Sequence, residues 1–537
     1  MISFRPLVVT LLLFLAGSAL FASAYGQAPL YYSNQNQYFL HGLAQSGDGL
    51  LGEDWLASTA DPTPAFSALV ALTARYLSPL AFYLYHALLL GAYGAAMLGL
   101  FADLAGPEKA ERRWLLFLVL FVAVHSALAR WLSYRLVGFD YPWFFQAGVA
   151  GQYLLGAMLQ PSFFGVLLVV AVCLFARGRP YLAAVFTGLA ADMHSTYLLP
   201  GGLLTVGFLT ALIARREWKT AIGVGAVALV LVMPAIAYVL VQFGPTSPAV
   251  FAEEQDILVN LRIPHHARPD LWLDPVACLQ ITWIVLSLVL VRKTPLFTVL
   301  GVPFVLAVLL TLTQVATGSN TLALLFPWRI SAVLVPIATT IVLSRVVLFP
   351  SMSADGRGLE LASVAGVCVF VAAGAWITGQ RLAFRVSDDE EALMEFVRLH
   401  RSPGDTYFLP VRVPDLVAAT RGSLSSDFKP LSEKKVDAKV IPVDLQRFRL
   451  HTGTPIFVDF KSIPYKDTEG IAWRDRLLLA QSLQDRIRKG DVAPALAELR
   501  RLGVTHLVVP AAAPIASAEL EQVHEDPAYR VYRWMSP

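Results

Sequence analysis

Carboxylates, histidines and arginines collect at a few places in an otherwise apolar chain, and chemistry would be done there. The first is Gly52-Glu53-Asp54-Trp55-Leu56-Ala57-Ser58-Thr59-Ala60-Asp61-Pro62. A carboxylate such as Asp54 or Glu53 can act as general base toward a hydroxyl acceptor, or as a hard oxygen ligand for Mg²⁺ or Mn²⁺. The same run can equally be a solvated loop, in which Asp61-Pro62 starts a turn.

Three further groups carry nitrogen chemistry. In Asp192-Met193-His194 the two ionisable side chains are two residues apart. On a regular helix they would point to nearly opposite faces, so both can serve one cavity only if the helix breaks before Pro200. Arg262-Ile263-Pro264-His265-His266-Ala267-Arg268-Pro269 is a compact basic stretch. It is suited to holding a phosphate or to acid–base work, although an exposed loop would look the same. Zinc is disfavoured there, because no cysteine or third histidine stands at ligand spacing. In Phe326-Pro327-Trp328-Arg329 the arginine sits just inside the end of an apolar run. It can make a forked contact to phosphate or snorkel toward lipid headgroups. His194, Arg262, His265, His266 and Arg329 are therefore the candidate substrate- and phosphate-binding residues.

The elements that must position these groups are transmembrane helices. The chain of 537 residues is 56% hydrophobic and 15% charged, with a mean hydropathy of +0.58. Soluble domains carry about 25% charged residues, so much of this surface faces something other than water. A net charge of +3 with no basic cluster interleaved with aromatics argues against nucleic acid. Cys173, Cys278 and Cys368 lie far apart in apolar runs, as small hydrophobes in a helical bundle do. A helix needs about 20 apolar residues to cross the hydrocarbon. Such stretches occupy 6–25, 80–104, 114–133, 160–176, 181–198, 199–214, 220–242, 275–291, 295–314, 325–347 and 360–380, or about 11 crossings. Residues 143–158 are apolar but interrupted by glycine, which suggests a re-entrant or interfacial segment. Phe21-Ala22-Ser23-Ala24 also has the small residues of a signal-peptidase site, and cleavage there would leave the topology unchanged.

Orientation follows from the basic residues. Lys109, Arg112 and Arg113 share one short loop, and Arg177 with Arg179 another. Arg215, Arg216 and Lys219 mark a third, Arg292 and Lys293 a fourth, and Arg345 and Arg357 flank a fifth. The positive-inside rule places all five in the cytoplasm. The long loop 26–79, the segments 134–159 and 243–274, and everything after 380 then face outward. Intramembrane and membrane-flanking ionisable residues other than these topology signals fall on that outer side, which makes it the candidate active face.

The expected fold is mainly α: a polytopic transmembrane helical bundle over 1–380, with a C-terminal extracytoplasmic α/β domain over 381–537. About half of the charged residues lie in that last part, balanced in sign as a solvated domain requires. Ser387-Asp388-Asp389-Glu390 resembles a helix N-cap with acids in the first turn. Extended runs at 406–409, 456–458 and 505–509 alternate with a helix at 491–501 that Gly503 would cap.

A long acidic first outer loop, many spans and an outer α/β domain together resemble the C-type (GT-C) polytopic glycosyltransferases. That resemblance implies sugar transfer from a polyprenyl-phosphate donor to a glycan, lipid or protein acceptor, outside a bacterial cytoplasmic (inner) membrane. It puts the base or metal-ligand role on Asp54, with Glu53 next. The closing run Leu502-Gly503-Val504-Thr505-His506-Leu507-Val508-Val509 is similar to strands in the C-terminal domains of those enzymes. The pattern departs from theirs in lacking a Trp-Trp-Asp run and an Asp-X-Asp pair, which puts a metal in doubt. Asn34-Gln35-Asn36-Gln37-Tyr38, Asp54-Trp55-Leu56, Pro264-His265-His266 and Val458-Asp459-Phe460-Lys461-Ser462-Ile463-Pro464 are similar to an uncharacterised bacterial membrane-protein family. Two other functions fit the architecture. One is a transporter or flippase of a lipid-linked solute, and the other is a non-catalytic envelope assembly protein, for which Asp459-Phe460-Lys461 would matter more than Asp54.

Overall fold

The computed structural model describes residues 4–349, 357–384, 388–413 and 445–535. Among them seven helices are long and apolar enough to cross a membrane, or up to eight if one bent pair is a single span. The seven segments are Val8–Tyr25, Leu80–Ala105, Ser195–Ala214, Trp218–Gln242, Leu296–Thr317, Asn320–Val347 and Arg357–Gly379. The bent pair is Pro107–His125 with Ala127–Val137, turned by 53°. Ser126 makes the bend by capping the second helix, its hydroxyl accepting from Ala129 N at 3.1 Å. Shorter helices at Pro161–Ala176, Pro180–Met193 and Pro275–Leu290 complete the set. Together these account for every apolar stretch expected from the sequence. The chain is a multi-pass helical membrane protein.

Local chemistry starts the short helices. Each opens on proline, whose fixed φ suits the first turn and whose missing N–H costs nothing there. Asp274 adds a cap to the last of them by accepting from Ala277 N at 2.8 Å. Helices of this length fall short of the roughly 30 Å hydrocarbon thickness. The start of Pro161–Ala176 is accordingly buried within protein. The bundle core is built from rings and branched side chains, among them Tyr93, Phe101, Phe121, Phe163, Phe208 and Ile337.

Residues after 388 form the expected α/β part. Its four-stranded sheet runs in the order β1 (Tyr407–Phe408), β2 (His506–Pro510), β4 (Tyr529–Trp534), β3 (Leu520–Glu525). β1 and β2 are parallel and the other pairs antiparallel. Helices Asp467–Arg488 and Val492–Arg501 pack on it around Trp473, Leu477, Leu496 and Leu507, and Glu391–His400 packs Leu393 and Val397 with Tyr407, Val508 and Val531. The run 456–458 does not become a strand and makes only an isolated bridge from Ile456 to Tyr407. Gly503 does follow a helix at positive φ, and Ser387 lies outside the described residues.

The segments expected on the outer face gather around this C-terminal part. Leu50 N donates to Gly453 O at 2.7 Å, and Thr246 N donates to Asp467 at 2.7 Å. Ile257, Leu258 and Leu324 contribute to the core around Trp473. Helix Pro248–Asp256 lies along Asp467–Arg488 and buries Glu254 against Gly470. Burial, and then the charge of Asp467, push the Glu254 carboxyl up from 4.5 to about 8. The unfolded chain releases this proton near its ordinary pKa while the folded chain keeps it. Stability therefore falls as pH rises from about 4.5 to 8 and is flat above. Glu254→Gln is expected to remove that decline and leave the protein more stable than wild type near pH 8. Melting temperatures of both proteins from about pH 5 to about pH 9 check the slope, and parallel curves would refute it.

Candidate functional site

The acidic loop does not present a free carboxylate. Asp54 is 1% exposed, and both of its oxygens are engaged. Leu56 N donates to Oδ1 at 2.8 Å. Arg449 Nε and Ile456 N donate to Oδ2 at 2.8 and 3.0 Å. Arg449 also reaches Asp459 at 2.9 Å. Glu53 accepts from Gly404 N at 2.9 Å on the surface, and Arg476 lies over the rings of Trp55 and Phe457. The pair expected as catalytic is thus placed as a clamp between the first loop and the C-terminal part.

The clamp fixes the strap that follows it. Asp459 leads into Phe460, Lys461, Ile463 and Tyr465. Lys461 O accepts from Arg262, which also lies over the Phe460 ring. Gln37 Nε2 donates to Ile463 O at 3.2 Å and to the Tyr465 hydroxyl at 2.9 Å. Tyr465 in turn hydrogen-bonds Tyr38. Burial, then Tyr465, hold the Tyr38 phenol well above its ordinary pKa.

A separate pocket, on which the strap acts through the charge of Lys461 at His266, is lined by Gln152, His266, Trp272, Gln314, Trp328 and Arg329. Its floor comes from the glycine-interrupted segment expected to be re-entrant. After a short helix, Tyr141–Phe144, the chain runs irregularly and almost wholly buried to Gln160. Irregular backbone at such depth occurs where it is enclosed by protein or lines a cavity. Gly148 is needed for its approach, since a Cβ there would lie 2.4 Å from Ala332 N. Val149 N then donates to Ser331 Oγ at 2.8 Å, which brings Gln152 against Arg329.

Arg329 follows Phe326, whose φ of 49° turns the chain before the next helix. Its guanidinium donates to Gln152 Oε1 and lies 5.3 Å from the Tyr197 ring centroid. Arg329 Nε and Trp328 Nε1 are buried donors with no acceptor among the described residues. Among those residues Arg329 also has no carboxylate partner. A half-buried cation beside buried, unmet donors makes a cradle for an anion.

The other candidates meet here to different degrees. Arg262 belongs to a turn of π-helix, Ile257–Arg262, and is joined to the strap. His266 Nδ1 donates to Ala150 O at 2.6 Å. A carbonyl can only accept, so Nε2 of the neutral ring is left as an acceptor. Burial pushes the His266 pKa down from 6.5 to about 4, opposed by the bond to Ala150 and aided by Arg329, Arg262 and Lys461. In this tautomer His266 offers Nε2 as an acceptor, and burial favours the neutral ring. The His265 ring lies tilted against it, with centroids 4.0 Å apart. The helix carrying Asp192 ends at Met193, and His194 is extended. The break frees His194 to lie buried against Tyr38 and Tyr197, at ring distances of 5.5 and 5.9 Å, while Asp192 is half-buried.

Sequence reasoning missed Gln152, Gln160, Tyr38, Tyr197 and Tyr465. The available signal was the set of glutamines in an apolar segment with no helical caps. No three of His, Cys, Asp and Glu among the described residues come together as metal ligands. The residues present do not fit Mg²⁺ or Mn²⁺, and no step is derived through either.

Residues 432–480 match a family described as a domain of unknown function (DUF6798), a small part of the chain. No curated protein matches. Among solved structures the chain is similar to ArnT from Cupriavidus metallidurans, a crystal structure bound to undecaprenyl phosphate. The TM-score is 0.42 at 13% identity, covering 99% of this chain and 98% of that one. A likeness at that level assigns no activity, and what the pocket does must be argued from its own residues.

Proposed function

We propose that this chain is a membrane glycosyltransferase-like protein. It takes a polyprenyl-phosphate-linked sugar at the outer face of a bacterial cytoplasmic membrane and passes the sugar to a glycan, lipid or protein acceptor. The observation that carries this reading is Arg329, a half-buried guanidinium whose Nε is buried and which has no carboxylate partner among the described residues, beside the unmet donor of Trp328. In the transfer, an acceptor hydroxyl oxygen bonds to the anomeric carbon and gives up its proton to water, and the bond from that carbon to the phosphate oxygen breaks. The electron pair leaves with the polyprenyl phosphate, which gains a negative charge. Arg329 stands where that charge would be offset. Arg262, His265 and His266 border the same region, and Asp54 and Arg449 hold the strap.

A second reading is favoured by one observation. Asp54 is 1% exposed and engaged by three donors, which leaves it closed to an acceptor hydroxyl. On this reading the protein binds the lipid phosphate without turning it over, as an envelope assembly component.

Native mass spectrometry of the purified full chain, with and without added undecaprenyl phosphate, tests both. One bound undecaprenyl phosphate per chain, or a co-purified phosphate-linked sugar lipid, is expected. Loss of the sugar from that lipid on adding membrane extract supports transfer, and a lipid retained intact supports the second reading. No binding of either lipid overturns both.

A further inference from the structure

Next to Arg329 a second group of buried atoms has unmet hydrogen bonds, and all of them are neutral. Gln160 is fully buried, its Nε2 facing the Tyr153 hydroxyl at 3.4 Å and its Oε1 without a partner. His194 Nδ1 and Thr196 Oγ1 are likewise buried without partners. The three atoms belong to segments that converge on Tyr197. His194 and Thr196 flank Tyr197 in the turn between two helices. The Tyr197 hydroxyl donates to Ser162 O, two residues beyond Gln160. The ring of Tyr197 carries Arg329 on its face. Tyr153 has Asn34 Nδ2 at 3.5 Å and the Trp143 ring at 5.6 Å.

A buried polar atom left unpaired costs about 1–3 kcal/mol, and three on segments that meet at Tyr197 mark a place where a ligand, or water, completes the bonding. Their chemistry says which ligand. A hydroxyl oxygen both donates and accepts. It can therefore satisfy the amide oxygen of Gln160, the hydroxyl of Thr196 and either tautomer of His194. His266, tied to Ala150, offers a further acceptor nitrogen. A cationic ligand would face Arg329, and the charges acting on His266 are Arg329, Arg262 and Lys461, with no carboxylate among them. An anionic ring substituent would place a second charge where the unmet atoms include an acceptor oxygen.

We propose that Gln160, His194 and Thr196, arranged around Tyr197 beside Arg329, form a subsite that reads the hydroxyls of a neutral sugar attached to the bound phosphate. This rests on the phosphate reading of Arg329 and adds the class of sugar.

The test is a titration of the full chain, in detergent, with three probes. These are undecaprenyl phosphate, undecaprenyl phosphate glucose, and an undecaprenyl phosphate amino sugar bearing a protonated amine. Wild type is expected to bind the glucose lipid about tenfold more tightly than the bare phosphate, as one or two neutral hydrogen bonds would give. The amino sugar should gain nothing. Gln160→Leu should bring the ratio of glucose-lipid to bare-phosphate affinity close to one, with Gln160→Glu as a second variant that keeps side-chain volume. An unchanged melting temperature shows that each variant folds. Equal wild-type affinity for the glucose lipid and the bare phosphate means that the unmet atoms are filled by water only, and overturns the proposal. Preference for the amino sugar also overturns it. Failure of all three lipids to bind defeats the phosphate reading as well, so the two failures are distinguishable.

Discussion

Arg449→Met is expected to destabilise the protein by about 3–5 kcal/mol, the usual cost of removing one partner from a buried ion pair. Asp54 and Arg449 are 1% and 3% exposed, so water cannot replace the lost donor. The variant also leaves Asp54 and Asp459 sharing a space that one guanidinium now bridges. Two neighbouring carboxylates without that cation would repel or take up a proton. The control is the double variant Asp54→Leu with Arg449→Met, which should be less destabilised than the sum of its single changes. A melting temperature for Arg449→Met within error of wild type would remove the clamp from the account. The same geometry complicates the obvious catalytic test. In Asp54→Asn the amide must either turn an NH₂ toward the N–H groups of Arg449 and Ile456 or lose the Leu56 contact. Loss of activity in that variant would report a disturbed strap as readily as a missing base. It identifies a base only if Arg449→Lys, which keeps the charge, stays active.

The second large effect runs in the opposite direction on stability. Arg329→Met is expected to weaken undecaprenyl phosphate binding by about a hundredfold, as loss of a charge-assisted contact does. The protein should keep or raise its melting temperature. Without ligand, Arg329 is a half-buried charge, its Nε unmet, with a glutamine and an aromatic face for company. Removing a charge so poorly compensated relieves a cost. Arg329→Lys keeps the charge but not the fork and should fall between the two in affinity. Titration of the lipid alongside thermal melts reads both quantities. Unchanged affinity in Arg329→Met would show that the phosphate, if bound, lies elsewhere. A large fall in stability would make Arg329 structural. Set against Arg449→Met, the pair separates a residue that holds the fold from one that the fold holds ready.

The helices were legible in the sequence because each depends on a local quantity. An apolar run of sufficient length must be a helix in lipid, whatever its neighbours. Proline at the first turn and the Asp274 cap mark where such helices begin. The break at His194 was foreseeable as one of two outcomes, since Asp192 and His194 could not share a face on a regular helix. The α/β character of the C-terminal part was equally local, although β3 and β4 went unseen and the run 456–458 stayed out of the sheet. Extended runs tell a strand from an edge loop only once the partner strand is in place.

What each charged residue does was decided by the tertiary structure. Asp54 has the sequence surroundings of a catalytic carboxylate, yet its partner Arg449 lies 395 residues away. Nothing local to either residue announces the pairing. His266 had the flanking arginines of a phosphate site, and its hydrogen bond to Ala150, 116 residues distant, decides which ring nitrogen stays open. Hydropathy is a property each residue carries alone, so the sequence determined that the chain crosses the membrane and roughly where. Basicity, charge and hydrogen-bonding role depend on which groups are brought within a few ångströms, and only the folded chain sets those distances.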